Sequence, residues 1–187
     1  MIIFLGNTHS TELYKPLINA SKDDPDIVVS CQYPFKVPIS LIETHICVNI
    51  HYGTLPFYAG CNPIYWQIMK SDKAGVTLHY MDKDFDSGDI IDCKELPISG
   101  MTADEVYTSL SNFGLEIFKR NYKAILDGTA PRRPQDKSQR QYFNKDAVDF
   151  TDTLVNGDTK KLRALHFKGK QYPTIKIDGR VYEVRGG

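Results

Sequence analysis

Short apolar runs closed by polar residues or glycine recur along the first half of the chain, at residues 2–5 (ahead of Gly6 and Asn7), 27–30 and 46–50. Runs of that length and character read as strands buried on both faces of a sheet. A helical stretch over residues 11–21 follows the first run. Helix-sized or loop-sized connections between the three predict parallel strands of an α/β sheet. Asn62 and Pro63 read as the N-cap and first-turn proline of a short helix that carries Ile64, Trp66, Ile68 and Met69 and ends near Ser71. From Gly75 the pattern changes to alternation, Val76, Leu78 and Tyr80 against Thr77, His79 and Met81, which predicts a strand. Residues 90–96 read as its partner. Thr102 and Glu105 form a capping box for a long amphipathic helix built on Val106, Leu110, Phe113 and Ile117, with Gly128 as its terminator.

Beyond that helix the texture changes again. Residues 131–136 have linker composition and a polar stretch continues to about residue 156. A short helix over residues 160–167 is followed by a hairpin, 172–177 and 181–184, whose Asp178-Gly179 pair signals a type I′ turn. A hairpin alone is barely stable in water, so this one must dock on the core or on a second subunit. The expected division is a core over residues 1–130 and, over 131–187, a linker with a C-terminal β extension that serves as a dimerisation element.

Composition narrows the function classes. With 187 residues, 41% of them hydrophobic, the chain can bury one core and carry a small appendage. Lysine plus arginine equal aspartate plus glutamate at 23 each, and no basic run forms a footprint for a phosphate backbone, so nucleic acid is not expected as a partner. Cys31, Cys47, Cys61 and Cys93 lie far apart and read as reduced thiols, with no metal-ligand spacing. The apolar start is too short for a signal peptide or a membrane span. A cytoplasmic protein without a metal is the expectation.

Chemistry enters at residues 48–56. Asn49 and His51 stand at i and i+2 at the end of a buried strand, so alternation points both to one side. Ligands of open α/β sheets collect at the carboxyl ends of strands. On its own, an Asn-x-His pair is more often a satisfied loop entry than a catalytic pair. The run that follows is more specific: Leu55-Pro56-Phe57-Tyr58-Ala59-Gly60-Cys61-Asn62-Pro63-Ile64-Tyr65-Trp66, then Gly75-Val76-Thr77, then Asp86-Ser87-Gly88-Asp89-Ile90-Ile91.

In order and spacing these blocks resemble the folate-dependent formyltransferases that act on methionyl-tRNA, on glycinamide ribonucleotide and on amino sugars. The resemblance implies a truncated Rossmann-like α/β core with a mostly parallel sheet and a small C-terminal β-hairpin extension. It also implies a formyl donor, N10-formyltetrahydrofolate, and a catalytic trio of Asn49, His51 and Asp86. The chemistry suits those residue types. Attack by an amine creates a tetrahedral oxyanion that needs a donor, for which Asn49 is the expected neutral group. The amine must lose a proton, which assigns His51 as base, with Asp86 holding its ring. The resemblance places the folate against Tyr33, Pro34, Phe35, Lys36, Val37, Asp82 and Asp86. The expected acceptor contacts are Asn7, Ser10, Tyr52, Gly53, His79, Tyr142 and Phe143.

Two departures from the family pattern concern the acceptor. The stretch ahead of Asn49 is shorter than the family's by roughly one βαβ unit, about 30 to 40 residues. Ala59 stands where relatives often carry a basic residue. The C-terminal text, with Tyr142-Phe143 and residues 162–167 and 172–182, looks like sugar N-formyltransferases, many of which dimerise through that region. The expected acceptor is therefore the primary amine of a nucleotide-linked, dTDP-type 3- or 4-amino dideoxysugar, and the expected assembly a homodimer. Glycinamide ribonucleotide formylation and a degenerate folate-binding remnant are the alternatives.

Overall fold

The computed structural model describes residues 2–20 and 27–185. In chain order its elements are β1 (Ile2–Gly6), α1 (Thr8–Ala20), β2 (Ile27–Cys31), α2 (Ile39–Thr44), β3 (Ile46–His51), the two-residue β4 (Ala59–Gly60), α3 (Pro63–Lys70), β5 (Lys73–Tyr80), β6 (Ile90–Pro97), α4 (Ala103–Leu126), β7 (Tyr142–Phe143), α5 (Thr159–Leu165), β8 (Thr174–Ile177) and β9 (Arg180–Glu183). Five strands make one sheet in the order β1-β2-β3-β5-β6. β1, β2 and β3 pair in parallel, and β5 runs against both β3 and β6, so four of the five strands share a direction. The mixed α/β fold with a mostly parallel sheet is thus present, β5 being the reversed strand.

The apolar runs behave as their composition demands. Every residue of β2 is buried, as befits a strand between β1 and β3 and covered on both faces. Helix α4 lays Val106, Leu110, Ile117 and Ile125 into the same buried cluster as Ile50, Val76 and Leu78 of the sheet. Its capping box forms, with the Thr102 amide donating to the Glu105 carboxylate at 2.7 Å. The hairpin turn has the left-handed φ values of a type I′ turn, 48° at Asp178 and 80° at Gly179. It is rooted by the Val155 amide on the Thr174 carbonyl (3.0 Å) and the Thr174 amide on the Thr153 carbonyl (2.8 Å).

Three local features differ from the sequence expectation. Helix α1 begins at Thr8, not residue 11, because the Asn7 side chain accepts from the Ser10 amide at 2.9 Å and so caps the first turn. The expected end of that helix at Ser21 lies outside the described residues. Asn62 stands at the N-cap of α3 with Pro63 in the first turn, as expected, but in the left-handed region (φ 56°) and without a side-chain cap bond. Finally, β4 pairs in parallel with β7, tying the polar linker back onto the core beside the end of β3. Two-residue strands carry no periodicity, so nothing in the pattern announced this contact.

Candidate active site

Strand register brings the polar groups together. Asn49 on β3 pairs with His79 on β5, and His51 with Thr77. Directly opposed residues share a sheet face, as do residues two apart on one strand. Asn49, His51 and His79 therefore project to one side. Asp86, in the loop between β5 and β6, lies over them. Its Oδ1 accepts from the Asn49 amide nitrogen at 3.2 Å and stands 3.5 Å from His51 Nδ1 and 3.6 Å from His79 Nε2. Its Oδ2 accepts from the Gly60 amide at 2.8 Å. The expected trio converges on one carboxylate.

That carboxylate is 10% exposed, and burial alone would raise its pKa. The opposing contributions win: the facing His51 and His79 rings and the Gly60 amide hold it well below the ordinary carboxylate range. Asp86 is therefore an anion throughout the neutral range. An anion on Oδ1 fixes the Asn49 amide with nitrogen toward Asp86, and the same nitrogen lies 3.2 Å from His79 Nε2. His79 Nδ1 lies 2.7 Å from the Tyr80 carbonyl, which can only accept, so Nδ1 carries hydrogen. With neutral His79, both Asn49 amide hydrogens are then engaged, one on Asp86 and one on His79. Delivering an N–H to an oxyanion would require Asn49 to give up one of them, which its expected donor role did not include.

His51 is fixed in a similar way. Its Nε2 lies 2.6 Å from the Tyr58 carbonyl and must be protonated, leaving Nδ1, on the Asp86 side, as the nitrogen that can gain a proton. Gly53 makes room for the ring, since a Cβ there would stand 2.6 Å from His51 Nε2. The Asp86 turn is held from outside the sheet. Asp86 has a left-handed φ of 51°, and a Cβ at Gly88 would collide with the Tyr80 carbonyl. The Gln135 amide donates to the carbonyls of Asp86 (3.1 Å) and Gly88 (2.7 Å). Gln135→Ala should therefore lower kcat by about tenfold through misplacement of Asp86, the scale of losing one or two hydrogen bonds. Gln135→Glu, which keeps the length of the side chain but puts an acceptor oxygen in place of the amide donor, should not rescue it. Unchanged kcat in both variants would show that the turn holds itself.

A cavity of about 530 Å³ opens over these groups, in the usual size range for a small-molecule site. Tyr33, Pro34, Phe35, Lys36 and Val37 line one wall as expected, with Asp82 and Asp86 opposite. The two loops meet at the mouth, where Lys36 Nζ stands 5.7 Å from the Phe85 ring. Of the expected acceptor contacts, His79 and Tyr142 line the cavity. The other five, Gly53 beneath the His51 ring among them, do not line it. Ser10 and Tyr52 are fully buried, and their hydroxyls are spent on the Cys31 carbonyl (2.9 Å) and on Ser111 (3.0 Å), which corrects both expectations. Asn7 is occupied in capping α1. Phe143 is stacked on Trp66 with centroids 4.4 Å apart, so it packs. Lys145 and Cys61, which line the cavity, carried no signal in spacing or periodicity.

The described geometry is that of an α/β sheet presenting a histidine–carboxylate–amide cluster at the end of a central strand, beneath a small-molecule cavity. The family model for formyl transferases matches residues 12–121, and the chain belongs to that family. It is 34% identical to the methionyl-tRNA formyltransferase of Clostridioides difficile over 148 residues, 76% of this chain and 47% of the relative. The chain spans about half the length of such curated relatives. A sugar N-formyltransferase from a Shewanella species superposes with a TM-score of 0.78 at 19% identity, covering 98% of this chain and 95% of that one. The Helicobacter canadensis N-formyltransferase in complex with folinic acid and dTDP-3-aminofucose superposes with a TM-score of 0.72 at 26% identity, covering 87% and 62%.

Proposed function

We propose that this protein transfers a formyl group from N10-formyltetrahydrofolate, bound as a substrate, to the primary amine of a nucleotide-linked amino sugar of the dTDP type. The observation that carries the reading is the convergence of Asn49 and His51 on the buried anion Asp86 at the floor of the cavity, in a chain of the formyl transferase family. The stiff apolar wall at residues 33–37 suits a flat pterin. The Asn49 carbonyl, whose amide nitrogen is engaged, can accept from the attacking amine and hold its lone pair toward the formyl carbon. His51 Nδ1 takes the proton the amine loses, and Asp86 faces the imidazolium that results. Lys145, on the cavity wall, is a cation for the diphosphate of the acceptor.

The sugar acceptor is supported by the Helicobacter neighbour, by the balanced charge of the chain and by the C-terminal β extension. A second reading, formylation of methionyl-tRNA, is favoured by the curated relatives. Incubation with formyltetrahydrofolate and either a panel of dTDP-amino sugars or charged initiator tRNA, read by mass spectrometry, separates them. Formyl on the tRNA alone would reject the sugar reading.

A cytoplasmic homodimer completes the proposal. Among the described residues no helix is long and apolar enough to cross a membrane. The hairpin leaves Ile177 (52% exposed) and Tyr182 (46%), which its register puts on one side, on the surface, a face suited to a second copy. Deleting the residues after Lys170 should give a monomer or an aggregating chain in sedimentation. An active truncated protein of unchanged oligomeric state would remove the hairpin from the interface.

A further inference from the structure

Helix α3 buries two side chains, Ile68 and Gln67. A carboxamide with no exposure has to be paired, and Gln67 is. Its Nε2 donates to the Tyr52 carbonyl at 2.9 Å, and its Oε1 accepts from the Gly75 amide at 2.8 Å and from the Thr54 hydroxyl at 3.1 Å. The Tyr52 carbonyl can only accept and the Gly75 amide only donate, so the carboxamide has one orientation. Tyr52 and Thr54 flank Gly53, directly after His51. Thr77, the strand partner of His51, holds the same segment from its other side, donating to the Gly53 carbonyl (2.7 Å) and accepting from the Leu55 amide (3.2 Å).

The Thr54 carbonyl accepts from the amides of Phe57 (2.9 Å) and Tyr58 (3.3 Å), which closes the turn that brings the Tyr58 carbonyl to 2.6 Å from His51 Nε2. That carbonyl has a competitor. A neutral imidazole has a single N–H, and the Asp86 anion, 3.5 Å from Nδ1, draws it to that nitrogen. An Nδ1 that already carries hydrogen cannot take a proton from the amine. We propose that Gln67 is a positioning residue that keeps His51 Nδ1 free: by fixing Tyr52 and Thr54 it seats the Tyr58 turn, and the seated carbonyl holds the hydrogen on Nε2. Its value to catalysis rests on the formyl-transfer reading of the cavity, whereas the tautomer it sets does not.

Solution NMR of the full chain with 15N-labelled histidine reads the tautomer directly, the His51 signals being those lost in His51→Asn. The wild-type protein should show hydrogen on Nε2. Gln67→Met, and Thr54→Val at a half-buried position where folding is less at stake, should populate the Nδ1–H form, while Thr54→Ser, which keeps the hydroxyl, should keep the wild-type tautomer. In kinetics, Gln67→Met should lower kcat by about tenfold, the scale of one or two hydrogen bonds, and leave both KM values within about twofold. In a His51→Asn background the same change should cost nothing further, since two changes that act through one group do not add. A wild-type tautomer in both Gln67→Met and Thr54→Val would overturn the proposal. So would a tenfold further loss in the His51→Asn background, which would make Gln67 a support of the site at large. Should Gln67→Met not fold, the tautomer of Thr54→Val decides alone. A tautomer that shifts as expected in a protein that transfers no formyl group would uphold the lock and reject the formyl-transfer reading.

Discussion

Replacement of His51 by asparagine is expected to lower the rate of formyl transfer by about 10²-fold or more, the usual contribution of a positioned general base. Asparagine keeps a polar side chain at the reach of Nδ1, beside Asp86, and gives up only the bond that Nε2 makes to the Tyr58 carbonyl. What it cannot do is gain a proton beside Asp86. The loss should therefore fall on kcat, with folate affinity nearly constant, because the pterin wall at residues 33–37 does not depend on His51. Steady-state kinetics with both substrates varied check this. A variant with wild-type kcat removes His51 from proton transfer, and an equal loss in folate affinity reassigns it to binding.

Where the sequence was legible follows from which interactions are local. The three apolar runs, the alternation from Gly75 and the capping box at Thr102 each concern neighbours along the chain, and each became the element it implied. The side on which Asn49 and His51 lie follows from strand alternation alone. Their partnership with Asp86 came through the family resemblance, since the 34 residues between His51 and Asp86 carry no periodicity that reports a contact. Side chains whose polar atoms turn inward leave no such local signal. Ser10 and Tyr52 stand beside strand ends in sequence, yet their hydroxyls point to Cys31 and Ser111 across the core, a choice made by packing of α1 and α4. Gln135 reads in the sequence as part of a polar linker. The bridge of Arg133 to Ile90 and the β4–β7 pairing bring that linker against the Asp86 turn, and pairings of one or two residues leave no trace in the pattern.

Replacement of Asp86 by asparagine is expected to have the second large effect, and it differs in kind from that at His51. The rate should fall by about 10²-fold or more, since the developing imidazolium loses its facing charge and Asn49 loses one of the two bonds that orient it. Stability should fall as well. The carboxylate accepts from both Asn49 and the Gly60 amide, and an asparagine can accept with one atom only, leaving a buried donor facing an NH2 group at a cost of about 1–3 kcal/mol at neutral pH. The pH dependence gives this its sign. A carboxylate whose folded pKa lies below its unfolded value stabilises the fold fully above the unfolded value, about 3.9, and the contribution is lost progressively as pH falls below that toward the folded pKa. The wild-type protein should therefore lose stability through Asp86 between about pH 4 and pH 2, whereas Asp86→Asn has no such term. Denaturant unfolding of the two proteins at pH 7 and pH 3 should show their difference narrowing at the lower pH. A gap that stays constant or widens on acidification would show that Asp86 is not held as a stabilised anion, and would withdraw the electrostatic role assigned to it in catalysis.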